Sequence, residues 1–189
     1  MTRPGGRSAR VREAVHRAVI ELLAEGETTA GIPQIAERAR VNPTSIYRRW
    51  GSCASVLLDA AVARLSLASP VPDTGSLRGD VEQWATAVER ALADPDGAVL
   101  VRALITFIGT NADPIEHLLS RGEDLERMLT AAAGRGEPAL KLQDLLDYVL
   151  APMYLRVLLS RPIEPGIGVR LADRLLRAAG LPPASGQGG

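Results

Sequence analysis

Side chains that hydrogen-bond with bases and phosphates are concentrated in one short segment of the chain, residues 42–50. Its hydroxyl, phenol and guanidinium groups belong to Thr44, Ser45, Tyr47 and Arg48. Such groups bind base edges in the grooves of DNA and the oxygens of its backbone. At about 100° per residue on a helix, Thr44 and Arg48 point most directly away from Ile46, and the other two flank them. The segment therefore predicts a helix face suited to a major groove.

Two short helices are predicted to carry and support this face. The first follows Gly31, its expected cap, and has apolar residues at helical spacing, namely Ile32, Ile35, Ala36 and Ala39. The second begins after Asn42, a favoured N-cap residue, with Pro43 at the first helical position. Helices this short are unstable alone, so both must pack on a longer helix predicted over residues 8–25. The three together predict a helix-turn-helix.

Apolar residues around the second helix are expected to set its orientation. Val41 before the cap and Ile46 one turn into the helix have the spacing of a hydrophobic staple, and Trp50 faces the same inward side. The alternative interpretation is a capped surface helix of an ordinary bundle, in which Tyr47 is half-buried for packing.

Charge is distributed unevenly along the chain. Residues 1–52 carry nine arginines and five glutamates, a balance of +4, although the whole chain has a formal net charge of zero. A basic N-terminal third is typical of a region that contacts a polyanion. The alternative is ordinary variation in surface charge.

The overall composition favours helices and excludes several function classes. Hydrophobic residues make up 46% of the chain and aromatic residues 3%, and no segment alternates as a half-buried strand does, so an all-α fold is expected. The single Cys53 and the widely separated His16 and His117 predict no disulfide, metal site or cofactor. The lack of a Gly-rich phosphate loop argues against an enzyme. The lack of a long apolar run or signal core predicts a cytoplasmic protein.

Breaks in helical periodicity predict six regions. They are a basic arm over 1–7, the helix-turn-helix domain over 8–52, a connecting helix over 53–68, a connector over 69–76, a helical domain over 77–180 and a loose tail over 181–189. Further helices are expected near 77–93, 96–110, 114–133, 139–160 and 167–179, and Pro152 is expected to kink the fourth of these.

The sequence resembles the TetR (tetracycline repressor) family. The resemblance rests on Ile35-Ala-Glu-Arg-Ala39, Val41 and Ser45-Ile-Tyr-Arg-Arg-Trp50, and it covers about residues 8–65. Downstream, Arg135-Gly-Glu137, the run from Ala151 to Leu159 and Arg161-Pro162 are similar to the ligand-binding domain of one branch of the family.

The resemblance implies specific roles. Thr44 and Ser45 match residues that approach base edges, and Tyr47 and Arg48 match phosphate contacts. Arg49 is expected to brace the fold rather than to touch DNA. The expected DNA-binding set is completed by Thr29, Asn42 and Arg10.

Three departures from the family pattern put two phosphate contacts in doubt. Ala30 and Gly31 stand where Thr or Ser usually precedes the first short helix, and Cys53 stands where a Lys usually opens the fourth helix. Arg40 replaces the usual turn Gly and would be strained at positive φ.

The helical domain is expected to dimerise and to bind a small molecule. Apolar residues cover more than one side of the helix near 139–160, which with 167–179 would form a four-helix dimer interface. The alternative is that they fill a monomeric core. The predicted lining of the ligand site is Trp84, Val88, Leu104, Phe107, Ile108, Met128 and Tyr148, although large side chains at this spacing are also typical of core.

These features predict a ligand-responsive regulator. It is expected to be a dimeric repressor of double-stranded DNA, released from a palindromic operator by a small, mainly apolar effector. The alternative is a helical small-molecule-binding protein in which DNA binding is weakened or lost.

Overall fold

The computed structural model describes residues 6–27, 30–108 and 115–183, with the side chains of residues 7, 104–108 and 115–121 left out. The predicted all-α fold is confirmed, with no strand in the described part. The helices are α1 (Gly6–Ala24), α2 (Ile32–Ala39), α3 (Pro43–Trp50), α4 (Cys53–Ala68), α5 (Leu77–Ala93), α6 (Pro95–Ile108), α7 (Ile115–Gly134), α8 (Leu142–Leu145), a π-helical turn (Leu146–Leu150), α9 (Ala151–Leu158) and α10 (Ile167–Ala178).

The chain forms two compact units. The first unit contains residues 1–64 and 95–117, and the second contains residues 65–94 and 118–189. The predicted region boundaries stay predictions, but this division assigns α6 to the first unit, where Leu100 belongs to the core and Val99 packs against it. Among the described residues no single helix is long and apolar enough to cross a bilayer. The helices α3 and α4 reach that length and apolar character only when counted together, and a 76° bend separates them.

In the first unit, α1 provides the surface on which the short helices pack. Val15, Ala18, Val19 and Leu22 repeat at helical spacing and are all buried. The helix ends at Ala24, and the φ of +87° at Gly26 lets the Glu27 N–H donate to the Leu22 carbonyl, a motif that satisfies a free carbonyl at a helix end. The same core contains Ile32, Ile35 and Ala36 of α2 and Ile46 and Trp50 of α3, so both short helices share one core with α1.

The turn between α2 and α3 is made by a residue in an unfavourable conformation. Arg40 has φ 55° and ψ 44°, the left-handed region that glycine adopts freely. Its N–H donates to the Glu37 carbonyl, and the Val41 N–H donates to the Ala36 carbonyl. Hydrogen bonds from both residues hold this turn, and the strain expected at Arg40 is present.

The predicted single helix near 139–160 begins at Leu142 and contains the π-helical turn. Pro152 has no N–H, and its ring would crowd the carbonyl four residues earlier. The Ala151 N–H donates to the Leu146 carbonyl, five residues back, which widens the helix just before this proline. The widened turn fits the disruption that Pro152 was predicted to cause.

In the second unit, α5 and α10 approach closely because Gly168 has no side chain. A Cβ at this position would lie 2.4 Å from the Ala85 carbonyl oxygen. The buried Glu89 carboxylate accepts the N–H groups of Gly166 and Gly168, each at 2.8 Å, and so satisfies the first turn of α10. The start of α10 is thereby fixed to α5.

Candidate nucleic-acid interface

The helix α3 has the cap that the sequence predicts. The Asn42 side chain accepts the Thr44 N–H at 2.8 Å, and Pro43 occupies the first turn. Ile46 is fully buried, and Val41 is partly buried against the same core, as the hydrophobic staple requires. The helix ends at Gly51, whose N–H donates to the Tyr47 carbonyl at 2.8 Å.

These contacts leave one side of α3 open to solvent. Thr44 and Arg48 are exposed, Ser45 is half-buried, and Tyr47 is 51% exposed. A Tyr47 that is half-buried for packing therefore stays the alternative interpretation. A short helix that presents hydroxyl, phenol and guanidinium groups together has the chemistry to hydrogen-bond with bases and phosphates.

The remaining predicted DNA-binding residues lie in different places. Arg10 is exposed on α1, and Asn42 is exposed although its side-chain oxygen is used by the cap. Thr29 lies outside the described residues. The expected roles of all three stay predictions.

A buried carboxylate on α4 connects three helices of the first unit. Asp59 is 8% exposed and accepts Nε and Nη2 of Arg12 at 3.0 and 2.6 Å. The Nε2 atom of His16 lies 2.9 Å from the same carboxylate, and the indole Nε1 of Trp50 donates to it at 2.9 Å. A carboxylate only accepts, so the His16 nitrogen must be the donor. We call these four residues the Asp59 cluster.

The electrostatics of the Asp59 cluster favour the charged carboxylate. Burial alone would raise the pKa of Asp59, but hydrogen bonds from His16, Trp50 and Arg12, with the Arg12 charge, hold it well below its ordinary value. Arg12 is thus paired with Asp59, although its side chain stays 42% exposed. Since Trp50 is the last residue of α3, the cluster fixes the end of that helix relative to α1 and α4.

Sequence reasoning missed Asp59, although a signal was present. It is the one charged residue in the otherwise apolar run Val56–Val62 of α4. A lone carboxylate in such a run must be paired if it is buried. Its partners lie 47 and 43 residues away in α1, which local spacing does not reveal.

Ala30 and Cys53, two of the residues that depart from the family pattern, are in contact. The Cys53 thiol donates to the Ala30 carbonyl at 3.1 Å, and burial raises the pKa of that thiol, which keeps it neutral. A neutral, half-buried thiol lacks the charge that a Lys would bring to a phosphate.

The predicted ligand-site residues are only partly described. Trp84 and Val88 are buried at 0% and 1% exposure in the second unit, and Tyr148 is 50% exposed on its surface. Met128 lines a groove of about 540 Å³ with the connector residues Pro70–Asp73. The side chains of Leu104, Phe107 and Ile108 lie outside the described residues.

One of the predicted ligand-site residues has a buried polar atom without a hydrogen bond to the described residues. The indole Nε1 of Trp84 has no hydrogen-bond partner in the described structure. A buried donor without a partner costs about 1–3 kcal/mol.

A family model and several relatives identify one family. Residues 71–175 match the model of the tetracyclin repressor-like C-terminal domain, more than half of the chain. The chain is 39% identical over 127 residues to the HTH-type transcriptional regulator AqdR of Rhodococcus erythropolis, which covers 67% of this chain and 59% of AqdR. It is 30% identical over 163 residues to the DNA-binding transcriptional repressor TetR of Mycobacteroides abscessus, covering 82% and 85% of the two chains.

A solved structure supports the same relationship. The crystal structure of the TetR family transcription regulator SCO0332 superposes with a TM-score of 0.69 at 26% identity. The match covers 92% of this chain and 99% of that one.

The Asp59 cluster predicts a large effect of Asp59→Asn on stability. The variant keeps the shape but removes the charge that Arg12 and His16 face, so the free energy of unfolding at pH 7 should fall by about 3 kcal/mol. Urea unfolding measures this. Asp147→Asn, at an exposed position on the π-helical turn, is the control and should change stability by less than about 0.5 kcal/mol.

The lowered pKa also fixes the pH dependence. A carboxyl whose folded pKa lies below its unfolded value stabilises the fold above the unfolded pKa, near 3.8, and this stabilisation is lost as pH falls below it. The wild type should therefore lose stability more steeply than Asp59→Asn as the pH falls below about 5, and most steeply below about 4. Parallel curves for the two proteins would contradict the assignment.

Proposed function

The chain belongs to the TetR family of helix-turn-helix transcriptional regulators, and from this premise we propose that α3 reads the major groove of a palindromic operator in the cytoplasm and that the bound protein represses transcription. The observation that carries the proposal is the division of α3 into two faces. Ile46 and Trp50 are buried, while Thr44, Tyr47 and Arg48 stand free on the other side. A docked recognition helix needs this arrangement, because its reading side chains must reach bases without giving up the core.

Removing the exposed face should abolish DNA binding while the fold remains. We expect Tyr47→Ala with Arg48→Ala to weaken operator binding at least 100-fold, because contacts of this kind contribute about 1–3 kcal/mol each. Operator fragments are selected from the source genome, and affinity is measured by fluorescence anisotropy.

The control for this variant is Arg90→Ala, an exposed arginine on α5 in the second unit, which should leave affinity unchanged. Unchanged binding by the double variant would favour the alternative function, a helical small-molecule-binding protein without DNA recognition.

The operator-bound form is proposed to be a homodimer. One short recognition helix reads only a few base pairs, so a specific site needs two related by a dyad. Between the π-helical turn and α10, five large apolar side chains of the second unit are exposed, and we call them the apolar surface: Tyr148, Leu155, Leu158, Leu159 and Val169. Exposed apolar side chains of this size favour a subunit interface, and a second copy of this chain is the proposed occupant.

A charge in the middle of this apolar surface should prevent dimerisation. Leu155 is 55% exposed, and we expect Leu155→Glu to convert a dimer to a monomer in analytical ultracentrifugation, with loss of operator affinity. Leu67→Glu is the matched control, because Leu67 is 85% exposed on α4 and lies outside the surface. Dimers of unchanged affinity for Leu155→Glu would reject this interface.

The proposed effector is a small, mainly apolar molecule bound in the second unit. Trp84 supports this site, because its buried Nε1 has no hydrogen-bond partner among the described residues and would gain one if the effector carried an acceptor. We propose that the effector favours a conformation in which the two recognition helices are wrongly spaced for the operator. The helix α4, which carries Asp59 and contributes residues to both units, is the proposed route.

Trp84→Phe tests the polar contact in this site, because it removes the donor but keeps an aromatic ring. We expect unchanged operator affinity and about tenfold weaker release by effectors found in a screen of aromatic compounds bearing carbonyl groups. The measurement is operator release against effector concentration. Release curves that coincide for wild type and variant would exclude Trp84 from the site.

A further inference from the structure

A groove in the first unit lies beside the exposed face of α3. It is lined by Ser8, Val11, Ser45, Arg48 and Arg49 and has a volume of about 640 Å³. Two guanidinium groups and two hydroxyl groups therefore face one space, and none of the five lining residues carries a carboxylate. Such a lining attracts an anion that accepts several hydrogen bonds.

Arg49 is held in position at the edge of this groove. Its Nη1 donates to the hydroxyl of Ser8 at 2.8 Å and to the Ser8 carbonyl at 3.2 Å. Its guanidinium carbon lies 5.2 Å from the centroid of the Trp50 ring, a distance that gives a cation–π attraction. Although Arg49 braces α3 against α1 as expected, it is also exposed.

The brace leaves much of the guanidinium available. Arginine has five N–H donors, and both described hydrogen bonds of Arg49 come from Nη1. Within the described part of the chain, its Nε and Nη2 donate no hydrogen bond. A planar donor group held on one side and free on the other suits a phosphate, because little side-chain entropy remains to be lost.

We propose that this groove binds a backbone phosphate of duplex DNA, with Arg49 as the principal ligand, Ser8 as the residue that positions it, and Arg48 and Ser45 at the same phosphate or its neighbour. The inference rests on the proposed function, because it places a phosphate beside the helix that reads the operator. The contact of Arg49 with this phosphate would replace cationic contacts that the chain lacks, since Cys53 is neutral and Arg12 is engaged with Asp59.

Duplex DNA suits this site better than a free anion does. An exposed ion pair in water gains only about 1 kcal/mol or less, so an isolated phosphate ion would be held weakly. A duplex presents phosphates at fixed spacing and releases condensed counterions when they are neutralised. The expected signature is therefore a change in the salt dependence of DNA binding.

The test compares Arg49→Gln with Arg17→Gln. Arg17 is exposed on the same helix as Ser8 but nine residues away, about 180° around it, so the two variants lose the same charge at different places. Each phosphate contact contributes about 0.9 to the slope of log affinity against log salt concentration. For a dimer, Arg49→Gln should reduce the slope by about two, and Arg17→Gln should leave it unchanged.

Arg49→Lys and an operator with single methylphosphonate linkages separate a phosphate ligand from a structural brace. The lysine keeps the charge, so it should restore most of the slope. A methylphosphonate linkage removes the charge of one phosphate. At one position in each half-site, this change should weaken operator binding by the wild type but not by Arg49→Gln. Weaker binding by Arg49→Gln with an unchanged slope, or equal sensitivity to every methylphosphonate, would overturn the proposal, because both indicate a residue that only positions α3.

Two further outcomes distinguish this inference from the proposed function. If the wild type binds its selected fragments and Arg49→Gln binds them equally well, the groove proposal fails and the proposed function stands. If the wild type does not prefer selected fragments to random DNA, both fail. Inorganic phosphate is the remaining arm: if it raises the melting temperature through Arg49 while the DNA salt slope is the same in wild type and Arg49→Gln, the groove is a free-anion site and the proposal is overturned.

Discussion

A buried negative charge must be paired, and in this protein one such charge determines how the first unit is assembled. Asp59 lies on α4 with 8% exposure, where an unpaired carboxylate would cost several kcal/mol. Its oxygens are satisfied only if Arg12 and His16 of α1 and Trp50 of α3 all converge on it. Three helices are thereby fixed at one point, and the outward face of α3 follows from that arrangement.

The same constraint explains why the DNA-facing chemistry is distributed as it is. Arg12 is paired with Asp59 although its side chain is 42% exposed, whereas Arg48 and Arg49 line the groove beside α3. The unfavourable backbone at Arg40 is tolerated because it is flanked by hydrogen bonds and by packed helices. The buried side of α3 therefore stabilises the fold, and neighbouring residues on its exposed side are available for recognition.

Much of this arrangement could be predicted from the sequence, because it depends on local patterns. The cap at Asn42, the staple between Val41 and Ile46 and the positive φ at Arg40 each involve residues within a few positions of one another. The features that were missed depend on distant residues or on helix irregularity. The Asp59 cluster joins positions more than 40 apart, and the π-helical turn before Pro152 shifts the register that simple periodicity assumes. The ligand site stays a prediction, because pocket and core residues have the same spacing and three of its predicted side chains lie outside the described residues.

The central claim is that the exposed side of α3 reads bases in a position that its buried side sets. Selection of bound sequences from a random DNA library, with wild type and Thr44→Ala side by side, tests this most directly. The account predicts a palindromic motif for the wild type and relaxed preference at one symmetric pair of positions for Thr44→Ala, with the rest of the motif retained. An identical motif for both proteins, or no enriched motif at all, would contradict it.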